Sequence, residues 1–177
     1  MSNQLSEPLR KEEQIVGELA RLGVGYLSRQ GNESYSHRRS PEDLLVELVR
    51  QPSSRVRTAL IALFLAHPEY AAHVSDALPR LTEREALSFK FFYTAAVFLQ
   101  RRYNTRLRVF LDVRWRELPD FFSVELGVSG STPAVCLQAL GRIHARQTGV
   151  KLNWVGTYQN AAHHLLRQWE LEKIWNQ

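Results

Sequence analysis

Apolar residues in this chain recur mostly every three or four positions, and the stretches that carry them end at residues that stop helices. Ile15, Val16, Leu19 and Leu22 share one side of a segment from about Pro8 to Leu22, with Gly23 as its stop. A second segment opens at Ser40-Pro41-Glu42-Asp43. The serine can cap, the proline fits a first turn whose N–H groups need no intrahelical partner, and the acids favour the positive end of the helix dipole. Leu44, Leu45, Leu48 and Val49 give it an apolar face up to Pro52. Ser53 or Ser54 then caps a third segment, which carries no charge on any side from Thr58 to Ala66. A helix apolar all round is predicted to be central. Pro68 and Pro79 bracket a short helix, and Thr82 with Glu85 forms a capping box ahead of the longest segment. There Phe92, Ala96, Leu99 and Tyr103 make one stripe and Phe91, Ala95 and Phe98 a second. Thr132-Pro133 starts a further helix that stops at Gly149, and Asn153 caps the last. The predicted apolar side of the last is Val155, Tyr158, Ala162, Leu165, Leu166, Trp169 and Ile174.

Two stretches break this rhythm. The polar tract from Ser28 to Ser40 has no periodicity and reads as a mobile loop. It divides residues 1–40, an N-terminal helix plus loop, from a helical core domain over 41–177. Between residues 104 and 129, Leu107, Val109, Leu111, Val113 and Trp115 alternate with more polar neighbours, and Phe122, Val124, Leu126 and Val128 do the same. That is a strand signal and allows a small β-hairpin within 106–128. The competing reading is two short helices, the second PDFFSVELG from Pro119 to Gly127; on a helix Val109 and Val113 would fall outside the apolar sector and Arg114 inside it. The expected fold is therefore predominantly all-α, a compact bundle of stacked helix pairs, with or without that hairpin.

Charge singles out one part of the chain. Arg101, Arg102, Arg106, Arg108, Arg114 and Arg116 stand within sixteen residues beside a single acid, Asp112, and their excess equals the +5 net charge of the whole chain. The rest is neutral. Tyr103, Phe110 and Trp115 are interleaved with the arginines. A local basic stripe implies either an anionic partner or internal counter-charges, for which Glu83, Glu85, Glu117, Asp120 and Glu125 are the candidates. The longest apolar run, Thr58 to Ala66, is far short of the roughly 20 residues that span a bilayer. The polar N-terminus lacks the apolar core of a secretory signal. Cys136 is alone and can form no intramolecular disulfide. These features lead to the expectation of a cytoplasmic protein with no membrane partner.

No catalytic constellation emerges. The six histidines, His37, His67, His73, His144, His163 and His164, lack metal-site spacing, so neither metal nor other cofactor is expected. Cys136 and His144 are eight residues apart, about 12 Å along a helix axis, and would not meet as nucleophile and base. Gly23-Val24-Gly25 is too short for a phosphate loop. The chain is expected not to be an enzyme.

The phrases PEDLLVELVR, SRVRTALIALFLAHPEY, FYTAAVFLQRRY, LPDFFSVELGV and NWVGTYQNAAHHLLR cover most of residues 41–167. They resemble small helical bacterial proteins encoded beside nucleotidyltransferases of the AbiEii or minimal-nucleotidyltransferase type. The resemblance implies an antitoxin-like or accessory partner of such an enzyme. The nucleotidyltransferase signature, Gly-Ser followed by paired aspartates, is itself absent. Two functions remain open: a non-catalytic partner protein, and a nucleic-acid-binding protein that uses Arg101, Arg102, Arg106, Arg108, Arg114 and Arg116.

Overall fold

Two helices without a solvent-facing side set the architecture. In the computed structural model, which describes residues 6–28 and 38–176, the described chain is helical and has no strand. Its helices are α1 (Glu7–Arg21), α2 (Pro41–Arg50), α3 (Ser54–Ala66), α4 (Val74–Ala77), α5 (Glu83–Arg102), α6 (Asn104–Leu111), α7 (Pro133–Thr148) and α8 (Trp154–Trp175). Every residue of α3 from Ala59 to Ala66 is at most 1% exposed, and α5 is buried continuously from Phe91 to Gln100. The two pack on each other, α7 and α8 cover them on one side, and α2 covers them on another, with the short α4 packed on α2. Phe64, in edge contact with Phe89 and Tyr93, locks α3 to α5.

Four predicted helix starts are present in atomic detail, whereas Ser53 precedes α3 without a side-chain cap hydrogen bond. Ser40 Oγ accepts from the Asp43 N–H, Thr132 Oγ1 from the Val135 N–H, and Asn153 Oδ1 from the Gly156 N–H. Thr82 and Glu85 complete their reciprocal box. Gly149, at φ +69°, ends α7 in the left-handed conformation that glycine adopts without strain.

Three expectations need correction. First, of the two readings open over this stretch, neither the hairpin over 106–128 nor the second short helix over 119–127 forms: residues 104–111 are α6, residues 112–114 a single tight turn, and residues 115–132 a loop. The alternating pattern misleads because a spacing of four satisfies both periods. Leu107 and Leu111 are buried, as are Phe122 and Leu126, while the intervening Val109 and Val124 are 62% and 92% exposed. Buried side chains of α5 hold the loop in place. Gln100 accepts from the Leu118 N–H and donates to the Arg116 carbonyl, and the Tyr93 hydroxyl donates to the Pro119 carbonyl.

Second, α1 is not an arm set apart from the body. Ile15, Leu19 and Val24 are fully buried within the common core. Buried Glu18 accepts from the Arg39 N–H and guanidinium, both at 2.7 Å. The turn after α1 is held by the rest of the fold. His67 Nε2 donates to the Leu22 carbonyl at 2.6 Å, Trp169 Nε1 donates to Gly23, and Gln168 accepts from the Gly25 N–H. Of the loop expected over 28–40, residues 29–37 lie outside the described residues. Third, Ile174 is 67% exposed rather than on the buried side of α8.

Among the described residues no helix is long and apolar enough to cross a membrane.

Candidate functional site

The six arginines of the basic stripe are all exposed, but the fold does not gather them into one track. Successive residues of a helix are about 100° apart, so Arg106 and Arg108 point to opposite sides of α6. Arg101 lies over the Phe98 ring and 3.8 Å from Asp120. Arg102 and Arg106 flank Tyr103, and Arg106 also pairs with Glu170 of α8. Arg108 lies 4.7 Å from the Trp115 ring centroid and bonds Asn104. Arg116 donates to the Val113 and Trp115 carbonyls, and Arg114 reaches the Ala66 carbonyl at 3.5 Å.

Internal neutralisation is therefore partial. Of the five acids expected as counter-charges, only Asp120 pairs with the stripe; Glu85 pairs with Arg50 and Glu125 with Lys90. Among the described residues Arg102, Arg108, Arg114 and Arg116 have no carboxylate partner. Packing on Tyr103 and Trp115 satisfies the apolar faces of Arg102 and Arg108 while their charge stays in solvent.

Beside these arginines the surface opens into an apolar groove of about 540 Å³ between α6 and the last turns of α8. Val109 and Phe110 form one wall and Ile174 the other, with Arg106, Glu170 and Lys173 also lining it. Phe110 continues inward to Trp169. On the two walls Val109 is 62% and Ile174 67% exposed. Two large apolar side chains facing each other across an open groove are uncommon on a surface that meets only solvent. The α8 half of this feature was missed in the sequence, although a signal for it exists. On a helical projection Leu171, Ile174 and Trp175 fall opposite the stripe of Tyr158, Ala162, Leu165 and Trp169. Two apolar stripes on one terminal helix mean two surfaces to cover.

The other candidates resolve into structural roles. Cys136 is buried, with its thiol against the Gly130 carbonyl. His67 caps the end of α1 and pairs with Glu69. His163 meets the Tyr103 hydroxyl, and His164 stacks on Tyr26. No group of residues able to hold a metal ion occurs among the described residues. Comparisons with protein-family models, curated proteins and solved structures return no match to this chain.

Proposed function

We propose that this chain is a non-catalytic helical partner protein that docks another protein on the groove between α6 and α8, with Arg106 and Lys173 at its rim and the other arginines of the stripe on the surface around it. The observation that carries this reading is the exposure of Val109 and Ile174 on facing walls of one groove that Arg106 and Lys173 also line. Arginine beside an apolar centre is a common make-up of an interface hot spot. Arg102, Arg108, Arg114 and Arg116, outside the groove and without carboxylate partners, favour an acidic partner surface and speed its encounter. The resemblance of residues 41–167 supplies the partner class: a nucleotidyltransferase encoded beside this chain, neutralised or positioned by it.

The test is co-expression with that enzyme and measurement of the complex by size-exclusion chromatography and interferometry. Val109→Asp with Ile174→Asp should abolish the complex without changing the fold. Arg102→Glu with Arg108→Glu should mainly slow association, an effect that shrinks as salt is added. A complex untouched by the groove variant overturns this reading.

A second reading, nucleic-acid binding, is supported by the four arginines without carboxylates. It requires log K to fall by about 0.9 for each phosphate contact per tenfold rise in salt on duplex DNA. It also requires Arg106→Ala and Arg108→Ala to flatten that slope by about one unit each. Against it stands the division of the arginines between opposite sides of α6.

A further inference from the structure

A second concavity, of about 690 Å³, lies where α2 ends, α5 begins and α7 runs out. Its size is that of a small-molecule site. His144, 1% exposed, is part of its lining. The imidazole is held between Phe91, at 4.1 Å between ring centroids, and Trp154, at 3.6 Å. Its Nδ1 lies 2.6 Å from the Tyr158 hydroxyl. Tyr158 is fully buried, and its hydroxyl has no other hydrogen-bond partner. With the phenol donating to Nδ1, the arrangement that uses its otherwise unmatched proton, Nε2 is the nitrogen that carries hydrogen. No described protein group accepts from it. Burial pushes the His144 pKa down to about 3, so the ring is neutral at neutral pH. The result is a rigid N–H with no partner, held by three aromatic rings at the edge of a cleft.

The same cleft is lined by cations. Arg57 and Arg84 have no carboxylate partner among the described residues. Arg57 is turned by the Gln51 and Pro52 carbonyls, to which it donates at 2.6 and 2.7 Å. Burial, and then the nearby Arg84 charge, lowers its pKa. Two guanidinium groups that repel each other share the cleft with that N–H donor and leave it electrostatically incomplete. Arg50 is matched by Glu85 at 3.4 Å, so Glu83 is the acid that opposes an anion here. Phe92, Leu87 and Trp154 provide apolar walls.

We infer that this cleft binds a small organic phosphate monoester, its phosphoryl group on Arg57, Arg84 and the His144 Nε2–H and its body against Phe92 and Trp154. Two unpaired guanidiniums match the charge of about −1.5 to −2 that a phosphate monoester carries at pH 7. A carboxylate would neutralise only one.

The experiment is calorimetric titration of the full chain with phenyl phosphate, inorganic phosphate and benzoate, alongside the imidazole N–H resonance of His144. Phenyl phosphate should saturate at one per chain and shift that resonance, with benzoate and inorganic phosphate both weaker. Arg84→Ala, on an exposed side chain whose loss the fold tolerates, should weaken phenyl phosphate about tenfold or more. His144→Phe keeps the ring stack and should also weaken it, while Glu83→Gln should tighten it. Arg167→Ala, on exposed α8 outside the cleft, should change nothing. Absence of saturable binding, benzoate binding as tightly as phenyl phosphate, or equal losses in Arg84→Ala and Arg167→Ala would each overturn the inference. The groove between α6 and α8 has no part in this test, so its outcome is independent of the partner reading.

Discussion

Thr94 lies on the enclosed face of α5, and its hydroxyl is a buried polar atom without a hydrogen-bond partner. A buried hydroxyl that gives up water and gains nothing costs about 1–3 kcal/mol. Thr94→Val keeps the branched shape and removes the hydroxyl, so it should stabilise the fold by roughly that amount in urea denaturation. A loss of stability instead would show that the hydroxyl has a bound water or carbonyl as partner. Asp112, between α6 and the turn that follows, has φ +47° and is exposed. Non-glycine residues in that region carry about 1–3 kcal/mol of strain, and such strain collects at functional surfaces. Asp112→Gly should relieve it, with a gain of up to about 1 kcal/mol after the entropy of the added glycine. Destabilisation would mean that the aspartate makes a compensating interaction.

At the scale of elements, close approach and period decide what a sequence reveals. α7 and α8 cross at Gly141, where a Cβ would come within 2.8 Å of Val155 Cγ2 and 3.5 Å of Trp154 Cβ. Gly141→Val should overpack this contact and cost about 1–3 kcal/mol, seen as a lowered melting temperature with helicity retained. An unchanged melting temperature would mean that the helix pair can spread at no cost. Nothing in the sequence distinguishes this glycine from one that ends a helix. The helices with caps and apolar stripes, α2, α5, α7 and α8, were legible because several independent signals agree on each. α6 was not, because Leu107 and Leu111 satisfy a strand and a helix alike, and what settles the matter is that Gln100 and Tyr93 already hold the following loop. Those bonds reach across 16 to 26 residues. The same limit applies to the candidate surface. Charge marked the arginines, but the groove needs α8 beside α6, and the cleft at His144 needs the ends of three helices to meet.

Over the whole molecule, one buried imidazole ties stability to pH. The unfolded chain takes up a proton on His144 near its ordinary value of about 6.5, whereas in the folded protein burial delays this to about 3. A folded-state pKa below the unfolded one means that this contribution is fully present above pH 6.5 and is lost as pH falls from there towards 3. The difference corresponds to a contribution on the order of 3–5 kcal/mol. Carboxylates act lower on the scale. The Glu85 carboxyl, which accepts the Thr82 N–H, and the Asp43 carboxyl, which accepts from Arg80, are both held below their ordinary values, so their contributions fade only as pH drops through the acid range. Acid loss should therefore begin near pH 6.5 and deepen in a second stage. His144→Phe separates the two stages, since it keeps the stack between Phe91 and Trp154 but cannot take up a proton. It should lower stability at pH 7.5, because the Tyr158 hydroxyl loses its acceptor. Its urea midpoint should then fall less than that of the natural chain between pH 6.5 and 5. The ion-paired histidines His67 and His73 are common to both proteins and cancel in that difference. Parallel pH profiles for the two proteins over this range would show that His144 is not held neutral by its burial.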